Sequence, residues 1–100
     1  MSKDELREKI IEAVREVPNK DNIKYIRLFG SYSYGRPRKK SDVDLLIDFY
    51  QPIDFFELAD VKENLEKNLG LSVDLVTPAA LSPYFQKEVL KKAETLYGKV

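Results

Sequence analysis

The sequence contains no cysteine, no histidine and no tryptophan. Without cysteine there are no disulfides, and without cysteine or histidine there are no zinc sites of the usual kind. Serine–histidine and cysteine–histidine nucleophile pairs are excluded in the same stroke. Catalysis, if present, must run on the oxygen chemistry of Asp, Glu, Ser and Tyr, with Lys and Arg as electrostatic partners, and carboxylates suit hard cations such as Mg²⁺.

Long apolar runs are also lacking, since nothing approaches the roughly 20 residues needed to span a bilayer. The opening Met1-Ser2-Lys3-Asp4-Glu5 is too charged for a signal peptide, so a cytoplasmic location with no membrane partner is expected. Net charge is missing too: 17 basic and 17 acidic residues cancel. No global field draws in nucleic acid, and direct nucleic-acid binding is not expected.

What is present is enough for one small domain. A chain of 100 residues with 43% apolar content can bury a modest core but not two, so residues 1–100 are read as a single domain. From Asp4 to about Val17, the residues Leu6, Ile10, Ala13, Val14 and Val17 recur at helical spacing, and Pro18-Asn19 ends that helix. Ile23 to Phe29 reads as a first strand, residues 31–41 as a short helical turn and a basic loop, and Val43 to Phe49 as a second strand. Asp54, with Glu57 three residues on, has the spacing of a capped helix start. The helix that follows is stopped by Gly70. A third strand is expected over Leu71 to Val76. Ser82-Pro83 then opens a last helix lined by Phe85, Val89, Leu90, Ala93, Leu96 and Tyr97. The expected order is α-β-α-β-α-β-α, a small sheet covered mainly on one face by helices.

The chemistry concentrates in the strands. In Ser41-Asp42-Val43-Asp44-Leu45 two carboxylates lie two residues apart at the start of an apolar strand, so their side chains share one face. Like charges held side by side cost free energy unless a cation sits between them. A plainer role is open as well, with Asp42 ending the strand and Asp44 pairing with a loop lysine. Asp74, in Ser72-Val73-Asp74-Leu75-Val76, is a third acid in an otherwise apolar strand. Beside the second strand it would complete a three-carboxylate cluster for metal-assisted phosphoryl chemistry. Asp48 shares their parity but reads as a solvated strand end.

Upstream, Phe29-Gly30-Ser31 joins a strand to a helical start, where a close backbone approach and free N–H groups can cradle phosphate; by itself it is more readily an ordinary turn. The combination is more specific. Gly30-Ser31-Tyr32-Ser33-Tyr34-Gly35, then a basic loop, then Ser41-Asp42-Val43-Asp44 resembles the signature of the polymerase-beta-like nucleotidyltransferase superfamily. With Leu28-Phe29, Val73-Asp74-Leu75-Val76-Thr77-Pro78 and Leu81-Ser82-Pro83-Tyr84 included, the chain resembles the minimal nucleotidyltransferases of prokaryotes. One departure is that Ser33 and Tyr34 stand where many members have a small residue and Arg.

The resemblance implies an α+β nucleotidyltransferase fold with a small mixed sheet. It implies that Gly30 and Ser31, with Ser41, bind the nucleoside triphosphate, and that Asp42, Asp44 and Asp74 are the catalytic, metal-binding acids, holding Mg²⁺ as a pair of ions. It implies in-line attack of a hydroxyl on the α-phosphate of ATP, and a HEPN-domain partner whose tyrosine receives AMP, the two proteins forming a toxin–antitoxin pair. Two alternatives remain: a small-molecule acceptor such as an aminoglycoside, and a non-catalytic antitoxin that works by contact. Tyr32 and Tyr34 are candidates for contact with base or substrate. The Arg36-Pro37-Arg38-Lys39-Lys40 loop is either a local phosphate attractor or a solvated loop.

Overall fold

The computed structural model describes residues 2–29 and 43–99. The expected short helical turn and basic loop lie outside them. Helix α1 (Lys3–Arg15) forms on the stripe of Leu6, Ile10, Ala13 and Val14, all buried. The Ser2 hydroxyl starts it by accepting from the Glu5 N–H at 3.1 Å. Strands β1 (Ile23–Phe29) and β2 (Val43–Phe49) have the bounds that the sequence predicts. Helix α2 (Phe55–Leu69) is capped by Asp54, whose carboxylate accepts from the Glu57 N–H at 2.8 Å. The Glu57 carboxylate accepts from Asn19 at 2.8 Å, tying the start of α2 to the chain that leaves α1.

Gly70, at φ 68°, turns the chain out of α2 in a left-handed conformation that glycine adopts without strain. Strand β3 (Val73–Val76) is shorter than expected. A 3₁₀ turn over Pro78–Ala80 follows, and then α3 (Pro83–Lys92), capped by Ser82 with Pro83 in the first turn.

The last expected helix is corrected here. Helix α3 stops at Lys92, Ala93 is extended with ψ 147°, and Glu94–Gly98 form a fourth strand, β4, antiparallel to β1. The register passes from Ile26↔Tyr97 to Arg27↔Thr95, leaving Leu96 as the extra residue of a bulge. Leu96 and Tyr97 therefore both pack into the same core. Two consecutive apolar residues on one side, following Ala93, imitate the i, i+3, i+4 spacing of a helix.

The sheet order is β3-β2-β1-β4, with β1 antiparallel to both β2 and β4 and β2 parallel to β3. It is a mixed sheet in an α+β fold. Side chains alternate across it. Ile26, Leu28, Val43, Leu45, Ile47 and Val73 face the main core beneath α1 and α2. On the opposite face Tyr25 and Leu46 pack with Val89 and Ala93 of the α3 segment, flanked by Phe29 and Val76. Among the described residues, helices thus cover mainly one face, and α3 covers part of the other. Among the described residues no helix is long and apolar enough to cross a membrane.

Candidate active site

Because β2 alternates strictly, burying Val43, Leu45 and Ile47 toward α1 and α2 turns Asp44, Leu46 and Asp48 toward α3. In β3 the burial of Val73 does the same for Asp74. The parallel ladder then sets Val43 opposite Val73 and Asp44 opposite Asp74. The antiparallel ladder sets Phe29, the last residue of β1, opposite Asp44. Phe29, Asp44 and Asp74 thus form one row across three strands, at the edge where β1 ends and β2 and β3 begin.

The row floors a cleft of about 610 Å³ whose far wall is α3. Val76 and Leu81 line it near β3, while Tyr84, Phe85, Glu88, Val89 and Lys92 line it from the helix. A volume of this order lies within the usual range for small-molecule sites. The hollow between Val17, Phe49, Ile53 and Glu57 is only about 40 Å³, too small for a nucleotide. Asp44 is half-buried and Asp74 exposed. Like charges set on one rung are destabilising, and a divalent cation between them would relieve the repulsion.

The start of β3 is held from behind. The Val73 N–H donates to Glu66 Oε2 at 2.9 Å, and the Val43 N–H donates to the Ser72 carbonyl at 2.9 Å. The residue before each acid is therefore locked, which fixes the direction in which each acid leaves the sheet. Helix α3 is held at both ends: Gln86 Nε2 donates to the Pro78 carbonyl at 2.8 Å, and Arg27 donates to the carbonyls of Leu90 at 3.0 Å and Ala93 at 2.6 Å.

Of the residues singled out from the sequence, Asp44 and Asp74 come together. Asp42, Gly30, Ser31, Ser41, Tyr32, Tyr34 and the loop from Arg36 to Lys40 lie outside the described residues, and among those that are described the acids form a pair rather than a group of three. Asp48 is half-buried rather than fully solvated; its Oδ1 accepts from the Phe49 N–H at 2.9 Å. It stands opposite Tyr25 in the ladder. Burial chiefly, and then the Asp48 charge, push the Tyr25 phenol above its ordinary value, with Arg27 pulling the other way. The contribution of α3 to the cleft went unread in the sequence. A signal is present in the sequence: Tyr84 and Phe85 are adjacent bulky side chains just after the Ser82-Pro83 helix start, and both, Phe85 included among the expected lining of the helix, are exposed in the structure.

The family model for polymerase beta nucleotidyltransferases matches residues 8–100. The protein adenylyltransferase MntA of Thermococcus cleftensis is 36% identical over 78 residues, covering 78% of this chain and 79% of that protein. A crystal structure of a toxin–antitoxin with AMP-PNP superposes with a TM-score of 0.76 at 29% identity, over 93% of this chain and 73% of that one. A complex of tri-AMPylated Shewanella oneidensis HEPN toxin with its MNT antitoxin matches with a TM-score of 0.69 at 26% identity, over 96% of this chain and 72% of the other. With the family match running from α1 through β4, the chain belongs to the polymerase beta nucleotidyltransferase family.

Proposed function

We propose that this chain is a Mg²⁺-dependent protein adenylyltransferase that moves AMP from ATP onto a tyrosine hydroxyl of a HEPN-domain partner, and so acts as the antitoxin of a toxin–antitoxin pair. The observation that carries this reading is the shared rung of Asp44 and Asp74 on the floor of a nucleotide-sized cleft, in a chain of this family. The choice of acceptor is supported by the relatives, one of which is named a protein adenylyltransferase and another of which is crystallised as an antitoxin with its AMPylated HEPN toxin. The proposed unit is a single cytoplasmic domain, in the compartment that supplies ATP.

Asp44 and Asp74 offer only hard oxygen donors to the cleft, a set that fits Mg²⁺. Asp42, two residues before Asp44 in the sequence, is assigned as the third ligand, and the number of ions as two. When bound, the metal neutralises charge on the triphosphate and lowers the pKa of the attacking hydroxyl. Gly30, Ser31 and Ser41 hold the triphosphate in this scheme. The tyrosine oxygen bonds to the α-phosphorus as its proton passes to Asp74, the bond from that phosphorus to the bridging oxygen breaks, and pyrophosphate leaves. No histidine base is needed, which agrees with a sequence that has none.

The test is incubation with ATP labelled at the α-phosphate, Mg²⁺, a HEPN-domain protein from the same source as candidate acceptor, and an aminoglycoside as competing acceptor. Label on a tyrosine of the protein, lost with Asp44→Asn, is the expected result. Label confined to the aminoglycoside would overturn the choice of acceptor. An Asp44→Asn variant that still silences the toxin would overturn catalysis.

A further inference from the structure

Helix α3 forms the far wall of the cleft, and little of it is buried. Val89 is its only buried residue, whereas α1 buries four and α2 three. Apolar burial fixes a helix in proportion to the area removed from water, so α3 needs other attachments. At its far end one such attachment is Arg27, in the middle of β1, which donates from Nη1 to Leu90 O and from Nη2 to Ala93 O. Those carbonyls belong to the last turn and the C-cap of α3, where the backbone lacks partners of its own and the helix dipole favours a cation.

The arrangement also has a cost. Arg27 Nε is buried and has no hydrogen-bond partner among the described residues, and such a group is unfavourable in a protein interior. Two charge-assisted bonds to the end of one helix offset that cost. Arg27 stands two residues before Phe29 on the strand that floors the cleft. It therefore joins the floor directly to the wall.

We propose that Arg27 is a positioning residue for the cleft. By clamping the C-terminal turn of α3 to β1 it sets the distance between the Asp44–Asp74 row and the side chains of Tyr84, Phe85, Glu88 and Lys92, without touching substrate. This rests on the transferase reading for its kinetic consequence and on hydrogen bonding alone for its structural one.

The experiment compares the full-length chain with Arg27→Met and Arg27→Lys by amide hydrogen exchange, by titration with ATP and Mg²⁺, and by AMP transfer. In Arg27→Met the amides of residues 86–92 lose protection while those of α2 and β2 keep theirs. The affinity for ATP with Mg²⁺ falls about tenfold, and KM rises by a similar factor with kcat within about twofold. Arg27→Lys, which keeps a donor and the charge, recovers part of both. Unchanged protection in α3 would overturn the clamp. A uniform loss of protection with lower kcat at constant KM would reduce Arg27 to a general stabiliser and overturn the positioning role. If the unaltered chain transfers nothing, the transferase reading fails, while exchange and ATP titration still judge the clamp.

Discussion

Asp44 and Asp74 stand opposite one another on the same rung of the parallel β2–β3 ladder, although thirty residues separate them in the chain. Neighbouring strands are about 4.8 Å apart, so two acids at this register share one small volume above the sheet. Replacing either by asparagine keeps its shape and removes its charge. AMP transfer should fall by roughly 100-fold or more, in line with the loss of a group that stabilises transition-state charge. The melting temperature of Asp74→Asn should stay level or rise, because a like-charge pair has been relieved. Steady-state kinetics beside thermal melts in metal-free buffer check both halves, and transfer within threefold of the unaltered chain would remove these acids from the mechanism.

Glu66 is expected to govern Asp74 from a distance. Its carboxylate accepts from the Val73 N–H, at the residue immediately before the acid. Glu66→Ala leaves that N–H beside a buried side chain without its partner and should cost about 1–2 kcal/mol. Glu66→Gln retains an oxygen acceptor and should lose much less. Urea titrations of the two variants measure the difference, and a Glu66→Ala variant as stable as the unaltered chain would show that the bond carries no stability.

Gly98 ends β4 at φ 78°, and a Cβ there would be driven into the Lys24 carbonyl oxygen and to 2.9 Å from Tyr25 Cα. Both obstacles are backbone of β1, which cannot swing aside. Gly98→Ala should therefore destabilise by more than the roughly 1–2 kcal/mol of left-handed strain alone. Gly70→Ala meets nothing within 4 Å and should cost only that strain. Paired denaturation curves test the ranking; a Gly98→Ala variant as stable as Gly70→Ala would show that β4 yields easily.

Tyr25 makes stability depend on alkaline pH. Burial, with Asp48 nearby, holds the phenol protonated in the fold above its ordinary value of 10.0. A group whose folded pKa is raised lends stability below the unfolded pKa and loses it as pH climbs through the folded one. Melting temperatures should consequently drop above about pH 10, and Tyr25→Phe should flatten that drop relative to the unaltered chain. Parallel alkaline limbs for the two proteins would count against the assignment.

Much of this architecture was legible in the residues. The bounds of β1 and β2, the caps at Asp54 and Ser82 and the stop at Gly70 all follow from local chemistry that tertiary packing did not override. So did the parity that puts Asp44 on the face of β2 opposite Val43 and Leu45, since alternation is a property of a single strand. The partner of Asp44 was a different matter. That Asp74 could face the same pocket followed from parity, but its rung depends on the register of two strands joined through α2, which neither strand encodes alone. Strand β4 was hidden because its bulge gives Leu96 and Tyr97 a helical spacing. Arg27 was hidden because nothing in β1 announces that its guanidinium will meet a helix more than sixty residues later.

The parallel pairing of β2 with β3 also bears on how the protein is made. Parallel neighbours cannot be joined by a tight hairpin, so all of α2 must be synthesised and folded back before the two acids meet. A nascent chain stopped anywhere short of Asp74 has one side of the proposed metal site and not the other. Ion capture would then report completion of the crossover, and a truncated product would be chemically silent rather than partly active.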